Sequence, residues 1–301
     1  MSGLSATINL NGNAQDGGHA RFPGFRFPQY GQRSGHIPLS RQPARAQDTA
    51  PMSASAPPGE TDRIAGLAAV AATFAQRPQS VLRLFYVPTR RRDAGPFCKL
   101  MAAARRPYRE VPPDELARIA GTAHHGGIVA VAVSQSVPEL AAPFPAELLA
   151  ARVLPVMDGV GNPHNLGAIA RSAAFFGCSG LLLSGDPRQA GLSDAAYRTA
   201  EGGLEHLALR HAPNLAIALR AMAPRFTTVA AVAEGGVPPE QLPRNKPFAL
   251  VLGNEEQGPA PGTIAACAYR LTLPGSGRVE SLNVSVAAGV LIHALMALQA
   301  A

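Results

Sequence analysis

Three segments of the sequence carry residues that can bind and react, each where an apolar run meets a turn. In VMDGVGNPHNLGAIARSAAFFG (156–177) the run ends at Asp158, a Gly/Asn/Pro turn follows, and a helix is expected from near Asn165. Gly167, Ala168, Ala173 and Ala174 let that helix pack closely, and Arg171, six residues past Asn165, is expected to point roughly where the first turns do. In FALVLGNEEQGPAP (248–261) an apolar strand runs into Gly253, where a ligand can approach the backbone closely. Glu256 suits a helix N-terminal charge. Glu255, nearer the strand end, fits that explanation less well. In LTLPGSGRVESLNVSVAAGVLIHAL (271–295) Pro274 stops a strand, and a Gly-rich loop offers main-chain N–H and C=O groups to an adenine-like ring. Ser281 and Asn283, both good caps, open a small-residue helix.

Something must hold these three turns together, and an open α/β sheet does so, because its ligands bind at the carboxyl ends of the strands. Apolar runs predict strands at 153–159, 180–185, 207–212, 227–233, 248–253 and 269–274. Helices fit at 165–177, 193–204, 213–223, 256–265 and 283–299. Continuous rather than alternating runs imply a mostly parallel sheet covered on both faces. Gly159 and Gly161 match the start of a GxGxxG dinucleotide loop, but His164 occupies its third glycine position, and alone it reads as a turn residue.

Upstream lies a smaller α/β unit over 61–135. Its reading starts with a helix capped by Thr61 or Asp62, with Ile64, Leu67, Ala68, Ala71 and Phe74 on one apolar face. Strands at 81–87 and 127–133, a basic loop and helix between 90 and 107, and a strand–turn–helix over 108–121 complete it. Residues 1–60, rich in Gly and Pro, read as a disordered, mildly basic tail, 136–150 as a linker and 151–301 as the second domain.

Composition narrows the partners. The 301 residues carry a net charge of +7, and residues 63–109 alone hold ten Lys/Arg against Asp93, a local +9. Such a stretch attracts polyanions, with nucleic acid first among them. The sequence has no apolar run of about 18 residues for a membrane span, and its start lacks a secretory pattern. Cys98, Cys178 and Cys267 are too widely spaced for a CxxC zinc site, so a reduced, cytoplasmic protein without metal is expected.

In order, the three segments resemble the signature motifs of the SpoU (TrmH) family of S-adenosyl-L-methionine-dependent RNA 2′-O-ribose methyltransferases, within the SPOUT superfamily. The resemblance covers about 151–301, and 61–133 resembles the family's small substrate-binding domain. It implies an α/β fold with a deep trefoil knot, a homodimer, and ribosomal RNA as substrate ahead of transfer RNA, with no membrane partner. By motif position it implies catalytic roles for Asn165, Arg171, Glu255, Ser281 and Asn283, and cofactor contacts for Gly253, Leu273, Leu282 and Asn283. Arg171 would stabilise the developing alkoxide, since a guanidinium stays protonated. The loop PGSGRVES departs from the family pattern in its Arg278 and Glu280. Two alternatives stay open: a non-catalytic RNA-binding or ribosome-assembly factor on the same fold, and a base methyltransferase of the same superfamily.

Overall fold

Two sheets organise residues 61–299, the part of the chain that the computed structural model describes. The expected tail, 1–60, lies outside the described residues.

The smaller sheet contains β1 (Thr61–Ala65), β2 (Val81–Tyr86), β3 (Tyr108–Glu110) and β4 (Ile128–Val133), in the order β1-β4-β2-β3. β4 runs antiparallel to β1 and β2, whereas β2 and β3 are parallel. Strand alternation divides its apolar residues between two faces. Ile64, Leu84 and Ala130 join Phe74 of α1 (Leu67–Gln76) and Met101 of α2 (Arg91–Ala103). Ala65 and Val129 pack with Leu116 of α3 (Pro113–Ala120). The helix expected from Thr61 is instead a strand followed by a helix that starts at Leu67. Gly66, at φ 99°, makes the corner in a conformation that suits glycine, and pairing with β4 claims 61–65. Ile64 is buried in either arrangement, which is why apolar spacing could not separate them.

The larger half contains α4 (Ala146–Leu149), β5 (Val153–Asp158), α5 (Pro163–Phe175), β6 (Gly180–Ser184), α6 (Asp194–Ala200), β7 (Ala208–Ala212) and α7 (Leu215–Met222). It continues with β8 (Thr227–Ala231), β9 (Phe248–Gly253), α8 (Pro261–Ala266), β10 (Tyr269–Leu271) and α9 (Val284–Leu298). Its six strands run in the order β10-β8-β9-β5-β6-β7, every neighbouring pair parallel. The central β5 and β9 are buried along their whole length, as their unbroken apolar runs require. Polar caps set the helix starts: Asn162, Ser193, Asn214 and Asn283 each accept a backbone N–H. Two expected helices are shorter. Residues 254–258 form a loop closed by reciprocal bonds between Asn254 and Gly258, so Glu256 sits in a turn and not at a helix start. The helix expected to reach 204 breaks after Ala200, where Glu201 (φ 45°) and Gly202 (φ 93°) turn left-handed. α4 lies inside the stretch read as linker.

The two halves meet along α6 and the turn after it. Arg77, just past the end of α1, grips Glu205 through two 2.8 Å hydrogen bonds, and the Glu205 side chain is almost fully buried. Thr73 adds a hydroxyl to the same carboxylate, and Arg63 pairs with Asp194. Gly202 allows the close approach, since a Cβ there would meet Ala72 at 2.8 Å.

Candidate active site

The carboxyl ends of β8, β9 and β10, together with the chain entering α9, surround a cavity of about 630 Å³. Gly253, Glu255, Leu273, Ser281 and Leu282 line it. Leu252, Ile264 and Leu291 supply apolar wall, and Glu256 and Glu280 add carboxylates at its lining. The volume lies within the range of small-molecule sites.

Asn165, in the first turn of α5, is buried and joins the three motif segments. Its amide donates to Glu255 Oε1 at 2.6 Å, and its carbonyl oxygen accepts from Asn283 Nδ2 at 3.3 Å. Asn283 also accepts from Ser285 N–H at 2.9 Å, so it caps α9 while clamping α5. Asn254 completes the frame, donating to Gly159 O at 3.1 Å and receiving the N–H groups of Glu256 and Gln257 on its own oxygen. Asn165, Glu255 and Asn283 thus form one chain of hydrogen bonds beside the cavity. Ser281 and Leu282 are exposed on its lip.

Arg171 does not join them. An α-helix turns about 100° per residue, so six residues leave Arg171 about 120° around α5 from Asn165. It pairs there with Glu201 at 3.0 Å, both side chains more than half exposed. The expectation that it points where the first turns do is corrected by helix geometry alone. Gly253 lines the cavity and also has a local job: a Cβ would lie 1.9 Å from Pro259 N, so the chain's own Gly258–Pro259 corner packs against its α-carbon.

Several supporting residues escaped the sequence reading. Asp158, buried at the end of β5, accepts Ala260 N–H at 2.8 Å and pins the 254–260 loop over the strand ends. Gln189 accepts the N–H groups of Gly159 and Val160, shaping the turn before α5 from 29 residues away. Its type and spacing offered no signal, whereas an acid ending an apolar strand did at Asp158. Arg188 holds Asp186 and reaches Gln257 at 2.8 Å, and its guanidinium lowers the Asp186 carboxyl to about 2. Burial, with the charge of Asp158, pushes the Cys267 thiol up to about 12. Among the described residues no cluster of three or more His, Cys, Asp or Glu could hold a metal ion. Apolar walls, main-chain loops and carboxylates together suit a ligand with a flat ring and a cationic group, which is the chemistry of S-adenosyl-L-methionine.

Fold and site together define an α/β protein that holds a small-molecule ligand at strand ends beside a polar clamp. The sequence pattern of the SpoU rRNA Methylase family matches residues 152–293, and that of RNA 2′-O ribose methyltransferase substrate binding matches 63–137. The chain is 31% identical to the 23S rRNA (guanosine-2′-O-)-methyltransferase RlmB of Nitrosomonas europaea, over 75% of this chain and 88% of that one. It is 32% identical to the uncharacterized tRNA/rRNA methyltransferase YfiF of Escherichia coli O157:H7, over 77% and 67%. A tRNA/rRNA methyltransferase of Mycobacterium ulcerans is 34% identical, but the match spans 60% of that relative's length. The SpoU methyltransferase AviRb from Streptomyces viridochromogenes, solved with the cofactor AdoMet, shares the fold at TM-score 0.63 and 22% identity, covering 79% of this chain and 90% of that one. The chain belongs to the SpoU rRNA methylase family of RNA methyltransferases.

Proposed function

We propose that the protein transfers the methyl group of S-adenosyl-L-methionine to a ribose 2′-hydroxyl of RNA, ribosomal RNA ahead of transfer RNA. The observation that carries this reading is the Asn165–Glu255–Asn283 clamp at the lip of the cavity, which ties the three motif segments into one site. When bound, the cofactor supplies an electrophilic methyl on its sulfonium. Gly253, Leu273 and Leu282 would hold it in the cavity, and the lining carboxylates of Glu255, Glu256 and Glu280 would suit its cationic groups. Asn165 and Ser281 orient the ribose, and this fixed geometry supplies much of the rate. Glu255 holds the amides of Asn165 and Asn254, so the first turn of α5 and the loop after β9 are tied together.

Arg171 stabilises the oxygen that loses its proton. Its exposed pair with Glu201 is weak and solvent-screened, so the guanidinium is free to exchange partners. A homodimer belongs to the same reading. Phe175 is 83% exposed at the end of α5, and Val286 and Val290 are about half exposed on α9, where Ser172 and Gly289 bring the two helices together. A second copy of the chain would bury this apolar face beside Arg171. The trefoil knot, a cytoplasmic location and the division at 61–135, 136–150 and 151–301 also belong to this reading. Among the described residues no helix is long and apolar enough to cross a membrane.

The test is incubation of the protein with radiolabelled S-adenosyl-L-methionine and total RNA from a strain lacking it. Label recovered in one ribosomal RNA as a 2′-O-methyl nucleoside is the expected result. Cofactor binding without label would point to a missing substrate such as an assembly intermediate, and neither label nor cofactor binding would favour the non-catalytic assembly factor.

A further inference from the structure

The ten cations of residues 63–109 read as one basic stretch in the sequence, but the fold divides them. Arg63, Arg77, Arg90, Arg91 and Arg109 form ion pairs with Asp194, Glu205, Asp93, Glu110 and Glu115. Arg106 donates to the carbonyls of Pro78 and Val81. Among the described residues Arg83, Arg92, Lys99 and Arg105 form no ion pair. Arg83 is half buried on the sheet face shared with Phe85, away from α2.

The other three follow α2. Seven residues turn a helix by about 700°, so Arg92 and Lys99 stand within about 20° of each other and about 10 Å apart along the axis. They project on the side opposite the buried Ala94 and Met101. Gly95, Pro96 and Ala103 occupy the positions between and beside them, while the half-exposed Leu100 and Arg91 flank the pair. The single acid of α2, Asp93, is held by Arg90.

Arg105 follows past the helix end, exposed as well, but about 140° around the axis from Arg92 by the same count. Its φ of 53° is the left-handed turn that glycine usually makes at this position, and the Arg105 and Arg106 N–H groups close the helix on Ala102 and Met101. An exposed arginine there introduces backbone strain that glycine would avoid, and that strain is compensated by no ion pair.

We propose that the outer side of α2, with Arg92 and Lys99, and the exposed turn that closes it, with Arg105, are where the small lobe holds the phosphate backbone of the RNA substrate. The inference rests on the methyltransferase reading for the identity of its partner. Exposed, unpaired cations suit phosphates and not base edges, so the contact is independent of sequence. Each ion-paired arginine has a carboxylate beside it that offsets its charge toward a phosphate, so it contributes less than an unpaired one.

The test measures binding of a labelled mixed-sequence RNA hairpin against salt concentration, for the full chain and two variants. A triple variant, Arg92→Ala with Lys99→Ala and Arg105→Gly, should lose about two to three units from the slope of log affinity against log salt. Arg91→Ala, which removes a paired cation, should leave the slope within about half a unit of the parent. Arg105→Gly alone should weaken binding while its Tm equals or exceeds the parent's, an opposite pair of effects that a purely structural arginine would not give. A triple variant with the parent's slope, or RNA binding absent from the parent, overturns the phosphate contact. Methyl transfer is followed in parallel. Transfer by the parent with an unchanged slope in the triple variant overturns the phosphate contact alone. A reduced slope without transfer by the parent supports the phosphate contact and counts against the methyltransferase reading.

Discussion

Asn283 shows how one side chain meets two demands. Its oxygen caps α9 on Ser285 N–H while its amide reaches Asn165, so the bland capping role and the site role coexist. Arg171 shows the reverse: its type suits an alkoxide stabiliser, yet its position on α5 sends it to Glu201. Replacing it separates these roles. Arg171→Ala should lower methyl transfer by at least about a hundredfold, with calorimetric binding of S-adenosyl-L-methionine little changed. Near-parental turnover would remove Arg171 from the chemistry. Asn165, Glu255 and Asn283 were singled out by the resemblance of the three segments to the SpoU motifs. Their hydrogen bonds were not legible in the sequence, because 90 and 118 residues of chain separate the partners.

At the scale of elements, the loop after β9 decides whether a cavity exists. Asp158 holds it from below, Asn254 closes it, and Gly253 lets Pro259 pack onto the strand end. Gly253→Ala should destabilise the fold by about 3 kcal/mol. Its cofactor affinity should fall as well, with denaturation and calorimetry as the checks. A variant of parental stability would show that the corner yields easily. Strands were legible here because β5 and β9 are buried on both faces and apolar throughout. The start of the small lobe was not. Apolar spacing over 61–74 suits a helix, and only pairing with β4 makes 61–65 a strand.

At the scale of the whole molecule, the two halves are locked through buried polar groups. Arg77 and Glu205 are paired, but Asp62 nearby is buried with its Oδ2 lacking a hydrogen-bond partner. Burial first, and then the charge of Asp194, raise its pKa above the ordinary carboxylate range. A raised folded pKa contributes stability that is full below the ordinary carboxylate pKa and is lost as pH rises through the raised value. Asp62→Asn should therefore increase Tm at about pH 7 and give no gain at about pH 4. Thermal melts at both values check the sign, and a gain confined to acid would contradict it. The exposed face of α5 and α9 predicts that Val290→Asp gives a monomer in sedimentation where the parent gives a dimer. A variant that sediments as the parent does would place the interface elsewhere.

By itself the sequence determined the mostly parallel α/β class and the three motif turns. These depend on local properties: unbroken apolar runs, glycine and proline punctuation, and caps at helix starts. Tertiary structure alone decided which of them meet. It joined Asn165 to Glu255 and Asn283, paired Arg171 with Glu201, and set acids beside five of the ten cations in 63–109, four of those acids from outside that stretch. Charge adds along a sequence, but it acts through space. The partner that cancels it can therefore come from any part of the fold.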